Sequence, residues 1–222
     1  MWTVTVDQEG SRRVGDRVEL LLADLRRDSP LVGAAPGAVV LPFDRTVGDE
    51  VQAVLGDPDL VVAVALHLIR IGGWSVGIGA GTVDGPLPAT SRAGSGTAFI
   101  HARAAVEAAK SRLRGVPLAV RGPRADLAAE AEGVLTLLGS VVARRTADGW
   151  SVVDRLSGAG AAGARQQDVA AELGISQQAV SARLRAALWS EELAARPAAA
   201  RLLRLAGADD DDGGSEDEGA DA

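Results

Sequence analysis

Polar and apolar residues alternate from the start of the chain. Trp2, Val4 and Val6 lie against Thr3 and Thr5, a two-residue period that predicts a strand ending at Asp7. Between Val14 and Arg27 the period lengthens, and Val18, Leu21, Leu22 and Leu25 fall on one helical face. Ala38 to Leu41 predicts a second strand. Val51, Ala53 and Leu55 predict a third, reached through a tight turn at Gly48 and Asp49. Pro58 to about Arg70 reads as a buried helix, and Trp74 to Val83 as a strand studded with Gly77, Gly79 and Gly81. Such glycine spacing lets a backbone or a ligand approach closely. Thr97 to Leu113 predicts a helix whose small-residue face is Ala102, Ala105, Val106 and Ala109. A short strand at Leu118 to Val120 and a helix from Ala125 to Arg145 follow, and Gly149 to Leu156 suits either strand or helix. Pro197 predicts a break before a last helix, Ala198 to Leu205.

The order β-α-β-β-α-β predicts an α+β fold, a ferredoxin-like antiparallel sheet with helices on one face, followed by an all-α segment. In that segment two apolar-periodic runs meet at a glycine. Val169, Ala170 and Leu173 stop at Gly174; Ala179, Val180 and Leu184 resume after Ser176. Glycine suits a left-handed helix C-cap and serine an N-cap, so the spacing predicts a helix-turn-helix wedged by Ile175 and Val180. Its second helix would present Ser176, Gln177, Gln178, Ser181 and Arg185 to double-stranded DNA, as side chains that read base edges or phosphates. A helical hairpin that contacts protein has the same turn chemistry.

Charge is unevenly spread. Of the formal −7, residues 208–222 carry eight acids and no base, whereas residues 155–207 hold seven Arg against four acids. The all-α segment is therefore mildly basic, a weak form of the footprint expected of a DNA contact. The tail has no apolar side chain larger than alanine and is expected to be disordered. Arg outnumbers Lys 22 to 1, and no Cys is present to form a disulfide or thiolate metal site. The longest apolar run, Leu60 to Ile71, contains His67 and Arg70 and is too short to span a bilayer. The reading is of a cytoplasmic protein without a membrane partner.

Candidate chemistry in the first part centres on carboxylates. Asp7 at a strand end and Asp49 with Glu50 at a hairpin tip would lie side by side on such a sheet. Two carboxylates so placed could hold Mg²⁺, which completes its octahedron with water and phosphate oxygens. His67 and His101 are isolated and read as ordinary structural histidines.

Around these acids the sequence resembles known families. Arg45 to Asp49, RTVGD, is similar to the K-T-I-G-D run of class III nucleotidyl cyclases, and Gly48-Asp49-Glu50 echoes the GGDEF diguanylate cyclases. Together RTVGDEVQAVL, GWSVGIGAG, PLPATSR and LGISQQAVSARL resemble the SatD family of bacterial proteins across most of residues 2–190. The resemblance implies a cyclase-like (palm-type) ferredoxin-fold domain at 1–122 and a connecting helix and linker region at 123–164. A helix-turn-helix domain at 165–206 and an acidic tail at 207–222 complete it. The likeness to the cyclases implies Asp7 and Asp49 as metal-binding aspartates and Arg45 at the base-recognising position. Glu50 beside Asp49, and Arg92 in a loop before a helix N-terminus that could cradle a phosphate, are further candidate ligand contacts read from the residues. The likeness places Ile100 and Ala104 where cyclases have a transition-state Asn and Arg. Neither can stabilise developing phosphoryl charge, so no cyclase activity is expected. The implied function is a DNA-binding regulator, as a homodimer, whose degenerate domain senses a nucleotide-like ligand with Mg²⁺ or mediates dimerisation. The alternative is a divergent Mg²⁺-dependent nucleotidyl cyclase or phosphotransferase.

Overall fold

The structure, a computed structural model, describes residues 1–111, 115–157 and 165–208. The end of the expected linker region, residues 158–164, and nearly all of the acidic tail lie outside these residues. The fold is α+β. Five strands form one mixed sheet in the order β2-β3-β1-β4-β5: β1 (Trp2–Gln8), β2 (Val39–Arg45), β3 (Glu50–Leu55), β4 (Trp74–Ala80) and β5 (Leu118–Arg121). β1 pairs antiparallel with both β3 and β4, and β2 with β3. β5 runs parallel to β4, which corrects the expectation of an antiparallel sheet. The helix between them, α4 (Thr97–Ala109), carries the chain back to the starting end, so the next strand enters in the same direction.

Alternation sorts the sheet into two faces. Val4 and Val6 stand opposite Ala53 and Val51 on one side and Ile78 and Val76 on the other. All six are fully buried, in one core with the apolar faces of α2 (Val18–Arg27), α3 (Pro58–Ile71), α5 (Ala125–Arg144) and α9 (Trp189–Ala206). The opposite face carries Thr3, Thr5, Gly77 and Gly79, and here α4 packs; helices therefore cover both faces, not one. The glycines make this packing close. A Cβ on Gly77 would stand 2.2 Å from Val106 N, and one on Gly79 2.1 Å from Ala102 N. The small face Ala98, Ala102, Ala105, Val106 and Ala109 is buried as a result.

Three local expectations also change. The run from Val14 to Arg27 is two helices, α1 (Ser11–Val14) and α2, parted at Gly15 with φ 81. β2 continues to Arg45 through Pro42, which an edge strand tolerates because its missing N–H faces outward. Pro197 lies inside α9 and does not begin a new helix. Core burial of Ala199, Ala200, Leu203 and Ala206 beyond it outweighs the local cost of the ring.

α6 (Ala147–Ser157), α7 (Gln166–Leu173) and α8 (Gln177–Ala186) form a separate small cluster around Val152, Val169, Ala170 and Val180. α9 leaves this cluster and returns to the sheet, where Trp2 Nε1 donates to Leu203 O at 3.1 Å. The segment 165–206 thus shares its last helix with the sheet core.

Candidate nucleic-acid interface and acidic site

The turn between α7 and α8 is built from local chemistry. Gly174 takes the left-handed conformation, φ 64, and the next residue's N–H returns to Ala170 O at 3.0 Å. Ser176 Oγ accepts from Ala179 N at 3.1 Å, satisfying one of the free donors at the start of α8. Val180 points inward and is fully buried. The other side of α8 brings Gln177, Gln178, Ser181 and Arg185 around one shallow surface depression. Gln177, Gln178 and Arg185 are exposed, and Arg185 makes no ion pair with the described residues. Ser181 is half-buried and donates to Gln166 Oε1 at 2.6 Å, while the Ser176 hydroxyl is committed to its cap. Arg183 on the flank reaches Asp148 of α6 at 3.1 Å.

A second site lies where β1 ends. Asp7 projects on the α4 side, and Asp49 in the β2–β3 turn is near enough for its charge to act on Asp7. Burial pushes the Asp7 carboxyl above its ordinary pKa; Lys110 opposes this, and the charges of Asp49 and Glu107 reinforce it. Lys110 Nζ stands 3.1 Å from Asp7 Oδ2 and 2.8 Å from Glu107 Oε1. Composition pointed at arginine and passed over this residue. The missed signal is that Lys110 is the chain's single lysine.

The remaining expected contacts are less open. Arg45 is held by Gly48 O at 2.7 Å, by the Asp16 carboxylate and, at 4.0 Å, by Glu19. A backbone hydrogen bond from Val18, together with Arg45, lowers the Asp16 pKa. Glu50 Oε1 accepts from Thr46 Oγ1 at 2.6 Å. Arg92 is exposed in a 3-10 turn, Ser91–Ala93, which is pinned by Ser91 Oγ donating to Gln52 O. Ile100, 69% exposed, and Ala104 lie on the outer side of α4, so neither expected transition-state position supplies a donor. His67 pairs with Asp24 at 2.7 Å and His101 with Ala80 O at 2.8 Å.

Among the described residues no three His, Asp or Glu side chains converge to hold a metal. The Mg²⁺ expected at Asp7 and Asp49 would meet two carboxylates there, of which Asp7 already stands 3.1 Å from Lys110 Nζ. No described helix is long and apolar enough to cross a membrane. No protein-family model matches the chain, and neither a curated protein nor a solved structure does.

Proposed function

We propose that the chain is a cytoplasmic, DNA-binding transcriptional regulator of the SatD type, with α8 as the recognition helix of a helix-turn-helix. The observation that carries this reading is the outward set Gln177, Gln178 and Arg185 on a helix whose inward Val180 is fully buried. In the major groove, glutamine can bind adenine through two hydrogen bonds, and arginine binds guanine or a phosphate. As a homodimer the protein would read two half-sites about 34 Å apart, one helical turn.

The sheet domain, in this reading, is a ferredoxin-like, cyclase-type module without turnover. Support comes from the β2-β3-β1-β4 order, antiparallel at every one of those pairs. A nucleotide-like ligand would approach Asp7, Asp49 and Lys110; the two carboxylates would hold Mg²⁺, which would supply positive charge to the ligand's phosphates. The same acids favour a second reading, a divergent Mg²⁺-dependent phosphotransferase. Ile100 and Ala104 weigh against it, since phosphoryl transfer depends on fixed donors for the developing charge.

Retention on genomic DNA fragments across a salt series tests the first reading. The parent should lose affinity steeply with salt, because phosphate contacts release counterions. Arg185→Ala should weaken binding by about 1–3 kcal/mol if it reads a base, and the triple variant with Gln177→Ala and Gln178→Ala should lose its footprint. A footprint that survives all three substitutions removes the reading.

A further inference from the structure

The long helix α5 has two faces of unlike character. Ala131, Leu135, Leu138 and Val142 are buried in the core beneath the sheet. At about 100° per residue, Glu130, Gly133, Leu137, Val141 and Arg144 fall together on the opposite side, within about 40° of Leu137. Leu137 is 71% exposed; Glu130, Gly133 and Arg144 are exposed and Val141 is half-buried.

The middle of this outer face is unlike a surface that meets only water. From Gly133 to Ala143 the helix carries no charged residue, in a chain of which 24% is charged. An outward helix face is ordinarily charged or polar, and an exposed apolar band with a polar rim marks an interaction surface. Ser140 beside the band is turned to its own helix, donating to Thr136 O at 2.8 Å. Gly133 leaves a gap, since a Cβ there would meet nothing within 4 Å.

The charges at the two ends of the band are unmatched. Around this layer other arginines have carboxylates: Arg121 has Glu132, Arg70 has Asp154, and Arg145 and Arg196 share the buried Glu192. Arg144 and Glu130 have no ion-pair partner among the described residues. They lie about 21 Å apart along the axis at 1.5 Å per residue, too far to meet within one chain.

A second copy answers both ends at once. Arg144 lies seven residues after Leu137 and Glu130 seven before it. An antiparallel pair of α5 helices with its two-fold axis at Leu137 therefore sets each Arg144 opposite the other copy's Glu130. In the same register Val141, four residues after the axis, lies over Gly133, four before it, so a side chain meets a gap. A parallel pair in register would set like charges together.

We infer that the outer face of α5 is a self-association surface, occupied by α5 of a second copy of this chain, antiparallel about Leu137. Arg145, the C-cap of α5, also donates to Ala187 O at the end of α8, at 2.9 Å. The same axis therefore relates the two α8 helices. Reading DNA as a two-fold pair rests on the regulator proposal; the contact between copies does not. A contact through one 20-residue helix buries less than the roughly 800 Å² per partner of a standard interface. Association is accordingly weak, with a Kd of about 10–100 µM.

Sedimentation equilibrium of the full chain from about 10 µM to 1 mM tests this, and the parent should pass from monomer to dimer across that range. Leu137→Glu, at an exposed position outside the core, should stay monomeric with a parent-like urea midpoint. Arg144→Glu and Glu130→Arg should each weaken the dimer about tenfold, because each turns two attractive pairs into repulsive ones. Combined, the two substitutions exchange the charges and should restore the dimer. A parent that stays monomeric to about 1 mM overturns the proposal and leaves the face to a different protein. Dimerisation that survives Leu137→Glu overturns the surface, and a charge exchange that recovers nothing overturns the register. Dimers formed by a chain that retains no DNA would end the regulator reading while the α5 contact stands.

Discussion

Beneath the sheet, Val4, Val6, Val51, Val76, Ile78 and Leu118 are sealed by apolar faces of four helices. The core of the α6–α8 cluster is Val152, Val169, Ala170 and Val180, with Leu156, Leu173, Ile175 and Leu184 partly covered. The first core is large enough to hold its helices by area. The second is of the size at which a unit of about 40 residues usually needs further support. That support is polar: the Ser176 cap, the Arg155–Glu172 pair at 2.7 Å, the Arg183–Asp148 pair, and the buried Arg145–Glu192 pair that ties α8 to α5 and α9. If α8 meets DNA as proposed, its outer side chains stay free, so little is left to bury there, and orientation is set by directional bonds.

The largest effect should come from the seam between the two regions. Glu192→Ala would leave two guanidiniums without their shared carboxylate, one of them fully buried, and should cost about 3–5 kcal/mol in urea unfolding. Amide exchange in α8 should rise with it. A parent-like midpoint would mean that area alone holds the cluster. Next is Gly79→Ala, whose new Cβ meets the α4 backbone at Ala102 N and Ala98 O. Displacing α4 should cost about 1–3 kcal/mol by overpacking. The α7–α8 turn should keep its exchange rates at denaturant levels below the transition. If the turn opens along with α4, the two regions are one cooperative body and the contrast is broken. The smallest effect is Ser176→Ala, which removes the α8 N-cap for about 1 kcal/mol and should leave the sheet untouched in the same exchange experiment.

What could be read beforehand follows the range of each interaction. The turn at Gly174 and Ser176 was legible because a left-handed glycine and a capping serine act within four residues. The strands were legible because alternation is local too. Placement of α4 on the far side of the sheet was not, since it depends on where the β4-to-β5 connection passes. Gly77 and Gly79 carried the hint, as positions where something must come close, without saying what. Asp7 and Asp49 were expected together and are close enough to interact, whereas Lys110, on a distant helix, went unnoticed beside them. Arg145 and Glu192, 47 residues apart, look like any surface helix charges until the chain folds.

Residue order settled the periodicities, the caps and the chemical identity of each exposed side chain, because these depend on neighbours a few positions away. The folded chain alone decided that Pro197 would lie within a helix, that an arginine at the end of α5 would cap α8, and that two tryptophans would wall one cleft. Those outcomes depend on which distant surfaces exclude water together, a property of packing in three dimensions that no local pattern encodes.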